Sequence, residues 1–266
     1  MPGSGTDILG VRVDAVTCDS VTETVLEAAS SGIACTVTAL AVHGLMEAVD
    51  DRDLRRRLRS FAVVCPDGQP LRWVLNLRFG ARLKDRVYGP ELMRRLCREA
   101  ARRSLPIHLY GSDDATLGEL AAALQRDHPG IVIAGTQASR FGRVSREELS
   151  DIAGSIRGTG ARLCFVGLGC PRQEIFAYEV SDHLPIPVVA VGAAFRYLAG
   201  LDQEPPRWVQ RAGLQWLHRL LSDPVRLWRR YVLLNPRFVA GVLGEAVGFR
   251  RTDDAGEGEV RFEGWA

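Results

Sequence analysis

The densest chemistry in the chain lies in one run, Arg162-Leu-Cys-Phe-Val-Gly-Leu-Gly-Cys-Pro-Arg-Gln-Glu174. Leu163 to Val166 is continuously apolar, the pattern of a strand buried on both faces. Gly167 and Gly169 follow, permitting a tight turn and a close approach of a ligand to the backbone. Pro171 suits the first position of a helix. That places Arg172, Gln173 and Glu174 in the opening helical turn, where free N–H groups and the helix dipole attract anions. The Gln173 amide and the Glu174 carboxylate suit the edge of a base or the hydroxyls of a sugar. A Gly-rich βα turn with a solvated, charged helix start has the same pattern, and short glycine motifs do not separate the two.

Open α/β sheets bind ligands beyond the carboxyl ends of their strands. The expected strand ends carry Thr38, Asp67-Gly68, Gly111, Gly167 to Gly169 and Gly192. Asp67 is the only carboxylate among them, placed to take a proton from an attacking hydroxyl as a general base. An Asp-Gly turn uses the same two residues. Thr38 adds a hydroxyl, although threonine is common in strands for packing reasons alone. The histidines (43, 108, 128, 183 and 218) show no metal-ligand spacing, and Asp113-Asp114 reads as a helix cap. No metal site is therefore expected. Towards the C-terminus Arg207, Arg211, Arg219, Arg226, Arg229, Arg230 and Arg237 interleave with Trp208, Trp216, Trp228 and Tyr231. Arg226 and Arg230 share a helical face. Such a surface can close arginines over a diphosphate or rest on an anionic membrane. A helix pair packed on the sheet with solvated arginines looks the same in sequence.

The elements that must position these groups alternate. Strands are expected near Ile8 to Val16, Cys35 to Leu40 (ending near Thr38), Phe61 to Cys65, Pro106 to Tyr110, Ile131 to Ala134, Leu163 to Val166 and Pro187 to Val191. Helical patterns separate them, including one from about Ala41 to Arg59 and one from Glu91 to Ser104. This alternation argues an α/β, Rossmann-like, mainly parallel sheet flanked by helices. From Pro205-Pro206 no further strand is expected. Helices over Arg207 to Leu221, Pro224 to Leu234 and Pro236 to Phe249 would form a C-terminal helical appendage. The expected organisation is an α/β domain over 1–203, the appendage over 204–249 and a polar, Gly-rich tail over 250–266.

Composition narrows the partners. The 266 residues carry a net charge of +2, which gives no whole-protein attraction to nucleic acid. Lys84 is the only lysine, so nearly every cation is an arginine, the side chain whose planar fork suits phosphate. The first residues lack a secretory pattern, and no apolar run reaches the roughly 20 residues of a membrane span. The six cysteines (18, 35, 65, 97, 164 and 170) show no paired spacing. Cys35, Cys65 and Cys164 fall in strands and read as reduced core residues, so a cytoplasmic location is expected.

Several stretches together resemble the WecG/TagA/CpsF glycosyltransferases (glycosyltransferase family 26). They are Pro66-Asp-Gly-Gln-Pro70, Val87-Tyr-Gly-Pro-Glu-Leu92, Val166-Gly-Leu-Gly-Cys-Pro-Arg-Gln-Glu174 and Val191-Gly-Ala-Ala-Phe195. Further on come Pro206-Arg-Trp208, Trp216-Leu-His-Arg-Leu220 and Pro224 to Tyr231. The resemblance implies a metal-independent, inverting enzyme without a cofactor. It would move a sugar, usually an N-acetylhexosamine, from a UDP donor to a sugar on a polyprenyl diphosphate at the cytoplasmic membrane face. It implies Asp67 as general base with Thr38 beside it, and a nucleotide and donor site from Gly167 to Glu174 that Gly111 and Gly192 join. Gln69, Tyr88, Gly89, Arg196, Arg207, Arg219, Arg226 and Arg230 would face the diphosphate and acceptor. The chain departs from the family's pattern at Leu40, Arg196, Glu204 and Gln215. Those changes raise an alternative acceptor, a soluble or carrier-bound intermediate of antibiotic biosynthesis. A nicotinamide oxidoreductase lacks its glycine fingerprint here. A non-catalytic binding protein and homo-oligomerisation stay open.

Overall fold

The computed structural model of the chain describes residues 5–140, 142 and 144–248. An antiparallel hairpin opens it, β1 (Gly5–Ile8) paired with β2 (Val11–Asp14). Then come α1 (Cys18–Ser31), β3 (Cys35–Leu40), α2 (Val42–Asp50), α3 (Arg52–Ser60), β4 (Val63–Pro66), α4 (Gln69–Phe79) and α5 (Gly89–Arg102). The alternation continues with β5 (Ile107–Gly111), α6 (Asp114–Asp127), β6 (Ile133–Gln137), α7 (Arg146–Gly158), β7 (Leu163–Gly167), α8 (Arg172–Ser181), β8 (Pro187–Ala190) and α9 (Ala194–Leu198). Strands β3 to β8 make one sheet in the order β4-β3-β8-β7-β5-β6, parallel at every pairing. The expected α/β, Rossmann-like sheet is what forms.

Both faces of the sheet are covered, as its unbroken apolar strands require. One face buries Leu45, Met46, Leu58, Leu71 and Phe176 from α2, α3, α4 and α8. There the Tyr110 and Phe176 rings stack with centroids 4.1 Å apart. The other face buries Val25, Leu96, Leu120 and Phe195 from α1, α5, α6 and α9. The helices that directly follow β3, β4 and β7 thus lie on the first face, and those that directly follow β5 and β8 on the second. Neighbouring strands whose helices part to opposite faces leave a crevice at their carboxyl ends, the place where such sheets bind ligands.

Beyond the sheet lie α10 (Arg207–Arg211), α11 (Gln215–Ser222), α12 (Pro224–Trp228), a π-helical turn (Arg229–Leu233) and α13 (Leu234–Ala246). The last of these packs Phe238 into the first-face core. Arg237 pairs with Asp50, and Arg78 with Glu245. The tail expected over 250–266 lies outside the described residues.

Several boundaries differ from the sequence expectation. The helix expected from Ala41 to Arg59 is two helices, because the Asp51 carboxylate accepts from the Asp53 and Leu54 N–H groups and caps α3. The helix expected from Arg207 to Leu221 is interrupted at Gly213, whose φ of +72° is left-handed. The five-residue α9 carries no side-chain cap and was not expected. Strand β3 runs past Thr38 to Leu40. Pro171 is the cap residue of α8 and not its first helical position.

Candidate active site at the carboxyl edge of the sheet

Asp67 follows the last residue of β4, and its N–H extends the ladder by donating to the Leu40 carbonyl at 3.0 Å. The side chain is 21% exposed. Three donors or cations face it. The Gly89 N–H, at the first turn of α5, bonds the carboxylate, so the positive end of a 14-residue helix points at it. The backbone is closely packed there: a Cβ on residue 89 would lie a tight 3.2 Å from the Val191 carbonyl oxygen and in ordinary contact, 3.5 Å, with the Ala39 Cβ. The Arg86 Nη1 donates to the Asp67 carbonyl at 2.8 Å and lies 3.6 Å from Asp67 Oδ1. Arg219, on α11, adds its charge from the appendage. Burial pushes the Asp67 carboxyl above its ordinary value, and Arg86, Arg219 and the Gly89 N–H pull against that rise. A base held above the usual carboxylate range suits proton transfer near neutral pH.

Arg86 was not singled out in the sequence. It sits in the Gly80 to Tyr88 loop, where charge reads as solvation, yet only 8% of it is exposed. Its guanidinium lies 4.3 Å from the centroid of the Tyr88 ring. The loop is pinned from α4: Arg72 Nη1 donates to the Leu83 and Lys84 carbonyls, and Asn76 exchanges hydrogen bonds with the Leu83 backbone at 2.9 and 2.7 Å. Lys84 itself is exposed.

A second cluster centres on Glu174, which is fully buried. Thr38 Oγ1 donates to Glu174 Oε1 at 2.8 Å, and Gln173 Nε2 donates to the same oxygen at 2.9 Å. The Thr38 hydroxyl proton is thus held by Glu174. The Gln173 amide orientation follows from the acceptor-only carboxylate, which turns Oε1 away. Gly192, with φ +54°, leaves room for that oxygen, since a Cβ would sit 3.0 Å from it. Gly111 and Gly167 bring β5 and β7 together: a Cβ on residue 111 would lie 2.9 Å from the Gly167 backbone. At Gly167 the space a side chain would take belongs to the Phe195 ring, whereas Gly169 (φ +79°) has open space around it.

Buried polar atoms normally find partners, so a concentration of unpaired ones in a crevice offers hydrogen-bonding capacity to a ligand. Among the described residues ten buried side-chain polar atoms lack a hydrogen-bond partner: five lie on Arg57, Arg72, His108 and Gln137, and the remaining five are Asp67 Oδ1, Gln69 Oε1, Tyr88 OH, Gln173 Oε1 and Glu174 Oε2. The latter five belong to these two clusters, which lie on neighbouring strand ends. The expected Asp67, Thr38, Gln69, Tyr88, Gly89, Gln173, Glu174 and Gly192 therefore fall within one region, with Arg219 reaching it. Arg172 is exposed at the start of α8. Arg196 is exposed and donates through Nε and Nη2 to the two Asp202 carboxylate oxygens, at 2.9 and 2.8 Å. The expectations for the side chains of Arg207, Arg226 and Arg230 lie outside the described residues.

The arrangement offers a base flanked by two arginines, beside a set of acceptor oxygens suited to hydroxyl and amide donors. One relative, N-acetylglucosaminyldiphosphoundecaprenol N-acetyl-beta-D-mannosaminyltransferase of Bacillus spizizenii, is 31% identical over 198 residues, covering 74% of each chain. The sequence profile of the Glycosyl transferase WecG/TagA/CpsF family matches residues 6–252, nearly the whole chain. The chain belongs to that family and is a glycosyltransferase.

Proposed function

We propose that the protein transfers an N-acetylhexosamine, with N-acetylmannosamine the first candidate, from a UDP donor to a sugar on a polyprenyl diphosphate. The step is a direct, inverting displacement. The acceptor hydroxyl attacks the anomeric carbon, the bond from that carbon to the UDP oxygen breaks, and the hydroxyl proton passes to Asp67. Arg219 and Arg86, beside that carboxylate, supply positive charge for a departing diphosphate. No metal or cofactor is assigned to the step. The observation that carries the reading is Asp67 itself: a strand-end carboxylate raised by burial, held by the α5 N-terminus and faced by two arginines. The named substrate of the Bacillus relative supports a lipid-linked acceptor over a soluble one.

The surface near the site fits an acceptor that resides in a membrane. Trp208, Leu221, Val225 and Trp228 of the appendage are 68%, 74%, 88% and 45% exposed. Trp73, Leu77 and Phe79 on α4 are exposed as well. No described helix is long and apolar enough to cross a bilayer. We infer peripheral contact through these residues, at the cytoplasmic face. The test is transfer from labelled UDP-N-acetylmannosamine or UDP-N-acetylglucosamine to a short-chain prenyl diphosphate carrying N-acetylglucosamine. Release of UDP with an inverted anomeric centre is expected. A retained configuration, or no transfer to any lipid-linked acceptor, refutes the reading.

A further inference from the structure

Gln210 lies on the five-residue α10, away from every strand end, yet it touches the machinery around the base. Its Oε1 accepts from Arg86 Nη2 at 3.3 Å. Its Nε2 donates to the Pro205 carbonyl at 2.8 Å, which fixes the amide orientation. Its backbone carbonyl accepts from Gln69 Nε2 at 3.5 Å, and Gln69 also reaches Asp85. Arg86 spends its other terminal nitrogen on the Asp67 carbonyl and lies over Tyr88. The guanidinium is therefore clamped between the general base and the appendage.

We propose that Gln210 is a positioning residue for the glycosyl transfer, holding Arg86 against Asp67 so that the base stays correctly placed and charged. The proposal rests on Asp67 being the base, as argued above. A nearly buried arginine must satisfy several N–H donors, and its planar fork loses its fixed geometry when one acceptor is removed. Gln210 supplies the acceptor on the side facing away from Asp67. Without it, Arg86 Nη2 is left unpaired, and the guanidinium gains by tilting towards water and away from Oδ1. The groups around Asp67 make the result readable. They are Arg86 in the loop before α5, the Gly89 N–H and Tyr88 at the α5 start, Arg219 on α11, Tyr197 on α9 and the Cys65 thiol on β4. Of these, Arg86 and Arg219 are the two that carry positive charge. Loosening Arg86 removes much of the opposition to burial and moves the Asp67 midpoint upward.

The test titrates Asp67 directly, by carbon NMR of protein labelled in its aspartate carboxyls, with Asp67→Asn assigning the signal. Gln210→Met keeps the length of the side chain and removes both hydrogen bonds. The Asp67 midpoint is expected to rise in that variant, and to rise no further when Gln210→Met is added to Arg86→Met. Turnover is expected to fall on the order of tenfold, with its acid limb displaced upward and the donor KM within about twofold, as for a misplaced catalytic group. An unmoved Asp67 midpoint, or effects of the two substitutions that add in full, overturns the proposal. Gln210→Asn, which is polar but too short to reach Arg86, serves the same comparison should the methionine variant not fold. The titration needs no substrate. A protein inactive on every UDP-sugar would sink the function proposed above, while the titration would still decide the role of Gln210.

Discussion

Asp67→Asn separates chemistry from architecture, because the two consequences have opposite signs. Asparagine keeps the shape of the side chain and still accepts from the Gly89 N–H. It takes no proton from an acceptor hydroxyl. General-base catalysis is typically worth about 10²–10⁴-fold, or about 2.7–5.4 kcal/mol of barrier at 1.36 kcal/mol per decade. Turnover should fall by that order. Stability should move the other way. Burial raises the folded carboxyl above its unfolded value. The ionised form therefore costs stability, and the cost grows as pH rises from the ordinary carboxylate range up to the folded midpoint. Each unit of that rise is about 1.4 kcal/mol at neutral pH. For a chain of this size each kcal/mol is roughly 2–4 °C in Tm. Asparagine carries no such cost, so the variant should melt no lower than wild type at pH 7. Its advantage should vanish below the unfolded carboxylate value of about 4. Initial rates of UDP release and melting curves at the two pH values measure both effects. Activity within a few-fold of wild type would refute Asp67 as the base. A Tm lowered equally at both pH values would refute the account of its burial.

Arg219→Met removes one of the two cations that oppose the burial of Asp67, so the acid limb of the kcat profile should move to higher pH. Turnover should drop by about 10²-fold if Arg219 also stabilises the leaving diphosphate, as for loss of one preorganised charge partner; an unshifted limb counts against the contact. UDP should raise the melting temperature more than ADP or GDP at equal saturation, by linkage, and equal shifts would dismiss the Gly167 to Glu174 region as a uridine nucleotide site. The sequence offers no Asp-x-Asp at a strand end, so transfer should survive EDTA; loss that magnesium or manganese restores would contradict metal independence. Gly167→Ala would place a Cβ 2.5 Å from the Phe195 ring, and overpacking of that kind costs about 1–3 kcal/mol, to be read as a lowered denaturation midpoint; an unchanged midpoint would mean that α9 yields freely.

Strand ends were readable because parallel strands buried on both faces leave unbroken apolar runs, and each run stops at a residue that cannot continue it. That rule brought Asp67, Gly167 and Gly192 to one edge, whereas Thr38, expected near a strand end, lies two residues inside β3. The rule is silent on groups that reach the site from far along the chain. Arg86 lies in a loop whose charges look solvated, and its burial depends on Tyr88 and on Gln210, 124 residues away. Arg196 had the opposite fate, since Asp202, six residues on, takes its guanidinium. The partner of Thr38 was not legible, because Glu174 stands 136 residues downstream. Local breaks within expected helices were missed, although a single residue explains each, as with Asp51 capping α3 and left-handed Gly213 ending α10.

The loop that carries Arg86 also carries Lys84, exposed and two residues away. Because every other basic side chain of arginine or lysine type is arginine, Lys84 is the one side-chain amine in the protein. An amine-selective fluorophore would therefore attach, apart from the terminal amine, at a single point beside the catalytic crevice. Its carbonyl is held by Arg72 of α4, so the dye's tether starts from a fixed backbone. Arginine-rich composition, whatever its origin, thus leaves the molecule with a built-in handle. Emission from that handle would report donor binding, appendage docking and vesicle contact in one cuvette, without engineering a cysteine into a chain that already has six.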